Sequence, residues 1–454
     1  MIKKLLFLLC TISLTANLFA QLQSTSPKPS SAQLAWHQLE YYWFAHFGPN
    51  TFTGEEWGSG NESASLFNPT NLDTRQWCRI AKQAGAKGII ITAKHHDGFC
   101  LWPSRYSNHT VRESKWKNGK GDVLKELSEA CKEYGLKFGV YISPWDRNHP
   151  DYGTAAYNQV FVNMLKELFT QYGPIWELWW DGANGEGPNG KKQEYNWNLY
   201  RKTVEQLSPQ TLIFSDVGPH VRWVGNEKGI AGITNWNLLN TDGFEAGLKG
   251  PPTDTLGTGN KFGKYWIPAE CDVSIRPGWF WKGSENKSVK SPQQLFQLYL
   301  KSVGRGANLL LNVPPDATGK IAIEDSVALV ELKKLIDSNF KSDLVGKNGI
   351  RISKTRQVTE VKLNKPIRAN CITLMENLLD GQNCSQFSIQ LFNQSKQEIS
   401  IIKGTTIGAK RILTFPTVEI SSIKLIITEQ KGTVNLGGLS LYHIDENLIE
   451  PIHP

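Results

Sequence analysis

Cysteine is scarce in this sequence of 454 residues: there are seven, and Cys10 lies close to the N-terminus. None stands in the Cys-x-x-Cys pairs that commonly hold zinc or iron–sulfur clusters. A His-Glu-x-x-His helix motif is also missing, and so are the Gly-x-Gly-x-x-Gly and Walker fingerprints of nucleotide folds. No metal and no cofactor is therefore expected. Blocks of one charge are lacking too. The formal charge of +8 is spread among acidic residues and falls to +6 without Lys3 and Lys4, which gives nucleic-acid binding little support. Beyond the N-terminus, no apolar run is long enough to span a bilayer.

The N-terminus itself, MIKKLLFLLCTISLTANLFAQ, combines a lysine pair, an apolar stretch and a small residue before a polar one. That pattern reads as a secretory signal peptide over residues 1–20, cleaved after Ala20, so the mature chain is expected to be soluble and secreted or periplasmic. Six cysteines then remain; Cys371 and Cys384 could pair in an oxidising compartment or stay as isolated buried thiols. Aromatics are plentiful, with 16 tryptophans and 13 tyrosines, which leans slightly towards carbohydrate because indole faces suit the C–H surface of a sugar ring.

From about residue 35 to 340, apolar strand-like runs alternate with amphipathic helical segments at 73–84, 121–134, 154–172, 194–207 and 291–304. The strands are read at 41–48, 86–99, 136–146, 175–182, 211–218, 232–237, 264–272 and 307–316. Eight strands with helices between them predict a parallel (β/α)8-like barrel over residues 21–340, irregular across the glycine- and proline-rich stretch 237–264. After residue 341 short β-rich segments follow one another, so 341–454 is expected to be an antiparallel β-sandwich that braces the barrel or binds sugar.

Barrel enzymes build their sites at the carboxyl ends of the strands. Here those ends collect His46, His95 and His96 with Asp97, Trp145 with Asp146, Asp181, Asp216, Glu270 with Asp272, and Asp316. Within ELWWDG, Glu177, Trp179 and Asp181 share one strand face and Leu178 and Trp180 the other. Asp181 thus reads either as a nucleophile or base above an indole wall, or as a cap for the next loop's amides. The adjacent histidines read as hydrogen-bond partners for sugar hydroxyls or as buried structural residues. A shared metal is awkward, because neighbours on a strand face opposite ways.

The motifs WFAHFGPNTFTGEEW (43–57), AKGIIITAKHHDGFCLWPS (86–104), YISPWD (141–146), LWWDGA (178–183) and NLLLNVPPDATG (308–319) resemble, in order and spacing, glycoside hydrolase family 29, the retaining α-L-fucosidases. The resemblance extends through ENLLDGQNCSQFSI (376–389) and implies a barrel followed by a sandwich. It implies Asp181 as the catalytic nucleophile and His46, His95, His96, Tyr141 and Trp179 as fucose ligands, with Glu56 and Trp57 reaching in from the first loop. RWVGNEKG (222–229) resembles the subgroup acting on α-1,3/1,4-fucosyl linkages and makes Glu227 the acid/base, with Trp223 close to the neighbouring galactose. Glu270 is the rival for that role or a sugar contact, Arg276 a nearby donor and Trp279 a stacking surface. The partner so implied is a fucosylated oligosaccharide. The other readings are a retaining exo-glycosidase for a different sugar and a non-catalytic fucose-binding protein.

Overall fold

The computed structural model describes residues 27–354 and 357–449, the side chains of 347–354 excepted. The signal-peptide reading, with Cys10 and the cleavage after Ala20, lies outside the described residues. Eight strands close a barrel: β1 (Tyr41–Ala45), β2 (Gly88–Lys94), β3 (Lys137–Ile142), β4 (Glu177–Trp180), β5 (Leu212–Ser215), β6 (Val221–Trp223), β7 (Ala269–Ser274) and β8 (Asn308–Asn312). All neighbours run parallel, and β1 pairs with β8 to complete the ring, Tyr41 opposite Leu309 and Phe44 opposite Asn312.

The outer helices begin where the sequence supplies caps. In α2 (Thr74–Gln83) the Asp73 carboxylate accepts the Gln76 N–H. In α7 (Pro292–Lys301), Ser291 and Gln294 form a reciprocal capping box with proline in the first turn, where its missing N–H costs nothing. Helix α1 (Ser31–His37) plugs the amino-terminal end of the barrel, and its Trp36 indole donates to Glu177 Oε2 at 3.0 Å.

The strand alternation follows the sequence reading on β4. Leu178 and Trp180 pack outward under α4 (Ala155–Gln171) and α5 (Trp197–Leu207), Trp180 meeting Trp197 at 5.4 Å and Tyr200 at 6.4 Å. Burying a side chain of this apolar kind stabilises by about 1.5–3 kcal/mol. Trp179 points inward and stacks on Phe214 at 4.0 Å and Tyr141 at 5.4 Å. These rings, with Tyr42 and Phe44, fill the barrel interior as packed layers.

The sixth strand differs from expectation. It is Val221–Trp223, and the segment 232–237 takes no place in the barrel. Backbone groups of 232–237 pair instead with the C-terminal domain: Asn237 N–H donates to Gln382 Oε1, Asn235 N–H to Thr406 Oγ1, and Arg411 Nη1 donates to the Ile233 carbonyl. No helix separates β5 from β6, and the irregular stretch before β7 holds only α6 (Thr253–Thr258) and a two-residue ribbon, Leu238–Leu239 with Tyr265–Trp266.

After α8 (Ile323–Phe340) come β9 (Gly349–Lys354), β10 (Val358–Glu376), β11 (Cys384–Phe392), β12 (Glu398–Gly404), β13 (Arg411–Gln430) and β14 (Leu436–Tyr442), all antiparallel. The long β10 and β13 shift register along their length and carry the sheet round an apolar core of its own, giving the β-sandwich. Cys371 and Cys384 are free buried thiols within it. Among the described residues no helix is long and apolar enough to cross a membrane.

Candidate active site

Asp181 follows the last residue of β4 and stands at the carboxyl end of the barrel with a quarter of its side chain exposed. Both its oxygens are held. Tyr141, on the neighbouring β3, donates its hydroxyl to Oδ2 at 2.8 Å, and the Ala183 N–H donates to Oδ1 at 2.8 Å. His96 Nε2 lies 3.6 Å from Oδ2. Burial, then the Asp181 charge, holds the Tyr141 phenol well above its ordinary range, so it remains a donor. An aspartate fixed from two sides, with an edge left open, can meet a ligand in one set orientation.

Three imidazoles crowd beside it. His95 meets His96 at 4.2 Å, His46 at 5.7 Å and the Tyr141 ring at 5.7 Å in a stacked arrangement. Burial lowers all three pKa values, His46 and His96 to about 4 and His95 well below normal, so all are neutral near pH 7. Their tautomers follow from their partners. Asn312 spends its amide N–H groups on Ser274 Oγ and the Trp279 carbonyl, so its Oδ1 accepts from His46 Nδ1 at 2.9 Å. His46 Nε2 is thereby left as an acceptor. His95 Nδ1 is sealed from water with no partner, and stranding a lone pair costs less than stranding an N–H, which places the proton on Nε2 as a donor. One acceptor and one donor side by side suit a polyhydroxylated ring.

Trp279 forms the opposite wall, 5.0 Å from the His46 ring. Its backbone N–H donates to Glu56 Oε2 at 2.8 Å, and Glu56 Oε1 is 2.8 Å from Lys282 Nζ. Its indole hydrogen-bonds Glu227, which is exposed at the rim on the loop after β6. Lost hydration raises the Glu227 pKa; the Trp279 bond pulls it back, while the charges of Asp181 and Glu56 push it up again. Trp57, 56% exposed, stands edge-on to His96 at 5.9 Å and to Trp145 at 5.7 Å, and finishes the rim. Among the described residues, no group of three or more His, Cys, Asp or Glu side chains could hold a metal ion.

The mouth therefore presents two carboxyl groups of different character, neutral imidazoles and indole walls. Residues 24–340 match the α-L-fucosidase family model. The chain is 41% identical over 448 residues to Alpha-L-fucosidase 1 of Arabidopsis thaliana, covering 92% of this chain and 87% of that protein. The chain belongs to the α-L-fucosidases of glycoside hydrolase family 29. A glycoside hydrolase 29 member from an unknown rumen bacterium superposes with a TM-score of 0.87 at 42% identity, covering 95% of this chain and 79% of the other. A Ruminococcus gnavus family 29 fucosidase, solved in complex with fucose, gives 0.84 at 28% identity, covering 93% and 96%.

Two residues expected at the sugar in this fucosidase sit elsewhere. Glu270 is fully buried a layer below the mouth, where it accepts from the Trp179 indole at 2.9 Å and from the Tyr42 hydroxyl and faces Glu177. Arg276 turns outward under the barrel's skin to Asp325 Oδ2 at 2.9 Å, both side chains without exposure. The reason is shared: each group has buried partners that water or substrate would have to displace. Trp223 stays near the rim and donates to Asp272 Oδ1 at 2.8 Å, beneath Glu227. Sequence reasoning passed over Asn312, Ser143 and Phe280. Asn312 ends β8 as the polar residue closing NLLLN, the same signal that marked Asp181. Ser143 bonds His96 Nδ1 at 2.7 Å, and Phe280 meets His95 edge-on at 5.1 Å.

Proposed function

We propose that the enzyme is an exported retaining exo-fucosidase that releases α-1,3/1,4-linked L-fucose from branched oligosaccharides. Asp181 attacks the anomeric carbon and forms a glycosyl-enzyme, while Glu227 gives its proton to the departing oxygen. Glu227 then takes a proton from water as that water displaces Asp181 and fucose leaves with its α configuration. The observation that carries this reading is the unequal environment of the two carboxyl groups. Asp181 is fixed by the Tyr141 hydroxyl and the Ala183 N–H, whereas Glu227 stands at the rim with its pKa raised by lost hydration and by the charge of Asp181. His46 and His95 orient the hydroxyls as acceptor and donor, and Trp279 covers an apolar face of the ring.

The proposed linkage preference rests on Trp223 and Glu227 sharing one rim segment, where binding of the adjacent sugar adds transition-state stabilisation. Export rests on the leader-like N-terminus. The test is kinetic. Asp181→Ala should abolish turnover, and Glu227→Ala should be rescued by azide on an activated aryl fucoside, with the fucosyl azide retaining the α configuration because azide displaces Asp181 from the glycosyl-enzyme. Rescue of Glu270→Ala in its place would move the acid/base role. Faster release from linear α-1,2-linked than from α-1,3/1,4-branched substrates would remove the linkage assignment.

A further inference from the structure

A cavity of about 990 Å³ opens beside the catalytic mouth, lined by none of Asp181, Glu227 or the three histidines. It lies over the outer side of β4 and β5. Its floor holds Trp180 and Ser215, one wall is the start of α5, and the other is the segment around 241–246. That volume is at the upper end of ligand-sized pockets, about 300–1,000 Å³.

Its chemistry is selective. The rings of Trp197, Phe244 and Tyr265 supply flat apolar faces, Tyr265 being 39% exposed, and Asn198 and Thr241 supply hydrogen-bonding groups beside them. Charges balance: Lys192 and Arg201 stand against Glu194 and Glu245, and Arg201 is already engaged by Glu205 at 2.6 Å. A lining with no net charge disfavours phosphate or acidic ligands, and its polar groups disfavour a purely apolar one. Aromatic faces interleaved with neutral donors and acceptors fit a neutral carbohydrate chain.

The cavity is also joined to the catalytic loop. The Trp197 indole donates to the Ala246 carbonyl at 2.9 Å, and the next residue, Gly247, packs so closely on Gly182 that a methyl group there would lie 2.4 Å from the Gly182 oxygen. Tyr195, in the cavity wall, donates its hydroxyl to the Ala183 carbonyl at 3.0 Å. Gly182 and Ala183 directly follow Asp181.

We propose that this cavity is a second carbohydrate-binding site, which holds a neutral, unfucosylated stretch of glycan while the mouth engages a fucosyl branch. The proposal rests on the mouth being the fucoside site. It is tested with the Asp181→Asn enzyme and a neutral N-acetyllactosamine-type oligosaccharide lacking fucose, by saturation-transfer NMR and calorimetry in excess free fucose. Saturable binding that persists with fucose present, and weakens about tenfold in the Phe244→Ala/Tyr265→Ala double variant, is the expected result. Asn198→Trp, which fills the cavity from an exposed position, should weaken it likewise. With Asp181 intact, both sets of changes should leave turnover of a small aryl fucoside unchanged and raise KM only for extended glycans. Absence of saturable binding, complete displacement by fucose, or unchanged affinity in both variants would overturn the proposal. Failure of the wild type on the aryl fucoside would instead strike the reading of the mouth, because the binding result does not depend on turnover.

Discussion

The carboxyl pair at the mouth, Asp181 with Glu227, and the pair beneath it, Glu177 with Glu270, are built on the same barrel but have different surroundings. Asp181 is three-quarters covered and Glu227 exposed, so each can meet a substrate, and each has donors of its own. Glu177 and Glu270 are sealed from water and lie close together, and burial drives both pKa values upward. At least one of them is protonated at neutral pH, because two bare charges in that space would be prohibitively costly. The lower pair meets the indoles of Trp36 and Trp179 and the Tyr42 hydroxyl. Four residues along the chain thus separate an accessible carboxyl group at the barrel mouth from one that organises the core. What distinguishes them is access and the supply of donors.

The widest separation is expected from alanine at one acid of each pair. Glu227→Ala should cut kcat/KM on natural substrates by about 10²–10⁴, yet change unfolding free energy by no more than about 0.5 kcal/mol. Glu270→Ala should lose about 3–5 kcal/mol, through a cavity and stranded indole and phenol donors. Urea unfolding followed by tryptophan fluorescence reads the second effect, and equal destabilisation by both variants would erase the distinction.

A smaller effect concerns acidity. The lower pair's pKa values are raised on folding, so protonation favours the folded state. Its stabilisation is complete below the ordinary glutamate range and is lost as pH climbs through the raised values. Glu270→Gln removes one of the titrating groups while keeping shape and polarity. The drop in Tm between about pH 5 and about pH 8 should therefore be shallower in the variant than in the wild type. Parallel curves would show that the lower pair does not take up a proton on folding.

The smallest shift is at the mouth. Trp279 stabilises the charged form of Glu227 by hydrogen bonding, so Trp279→Phe should raise the Glu227 pKa. The alkaline limb of the kcat/KM profile should then move upward, by less than about one pH unit. Movement towards lower pH would mean that the indole favours the neutral acid.

Much of this organisation was legible in the chain. Residues 177–181 announced their alternation because an acid at every second or fourth place in an apolar run has only one wet end to reach. The sixth strand was hidden by its length of three residues and by Arg222 at its centre, which reads as surface. In the fold that guanidinium is wholly buried, donating to the Leu256, Ile267 and Trp236 carbonyls and to Asn235 Oδ1. The segment 232–237 has a strand's pattern, but its partners belong to a domain more than a hundred residues later, which no local pattern encodes. Glu270 and Arg276 misled for the same reason: both lie close to the mouth in sequence, and only three-dimensional packing reveals the buried partners that occupy them.

Asn312 is among the last residues laid down in the barrel, yet it fixes the proton on His46, near the beginning, and tethers the Trp279 loop. A ribosome that has delivered Asp181, Glu227 and all three histidines has therefore not yet made a sugar pocket. Until the eighth strand docks against the first, His46 has no reason to keep its acceptor nitrogen turned towards a ligand. The proposed fucose pocket is in this sense a property of the closed ring.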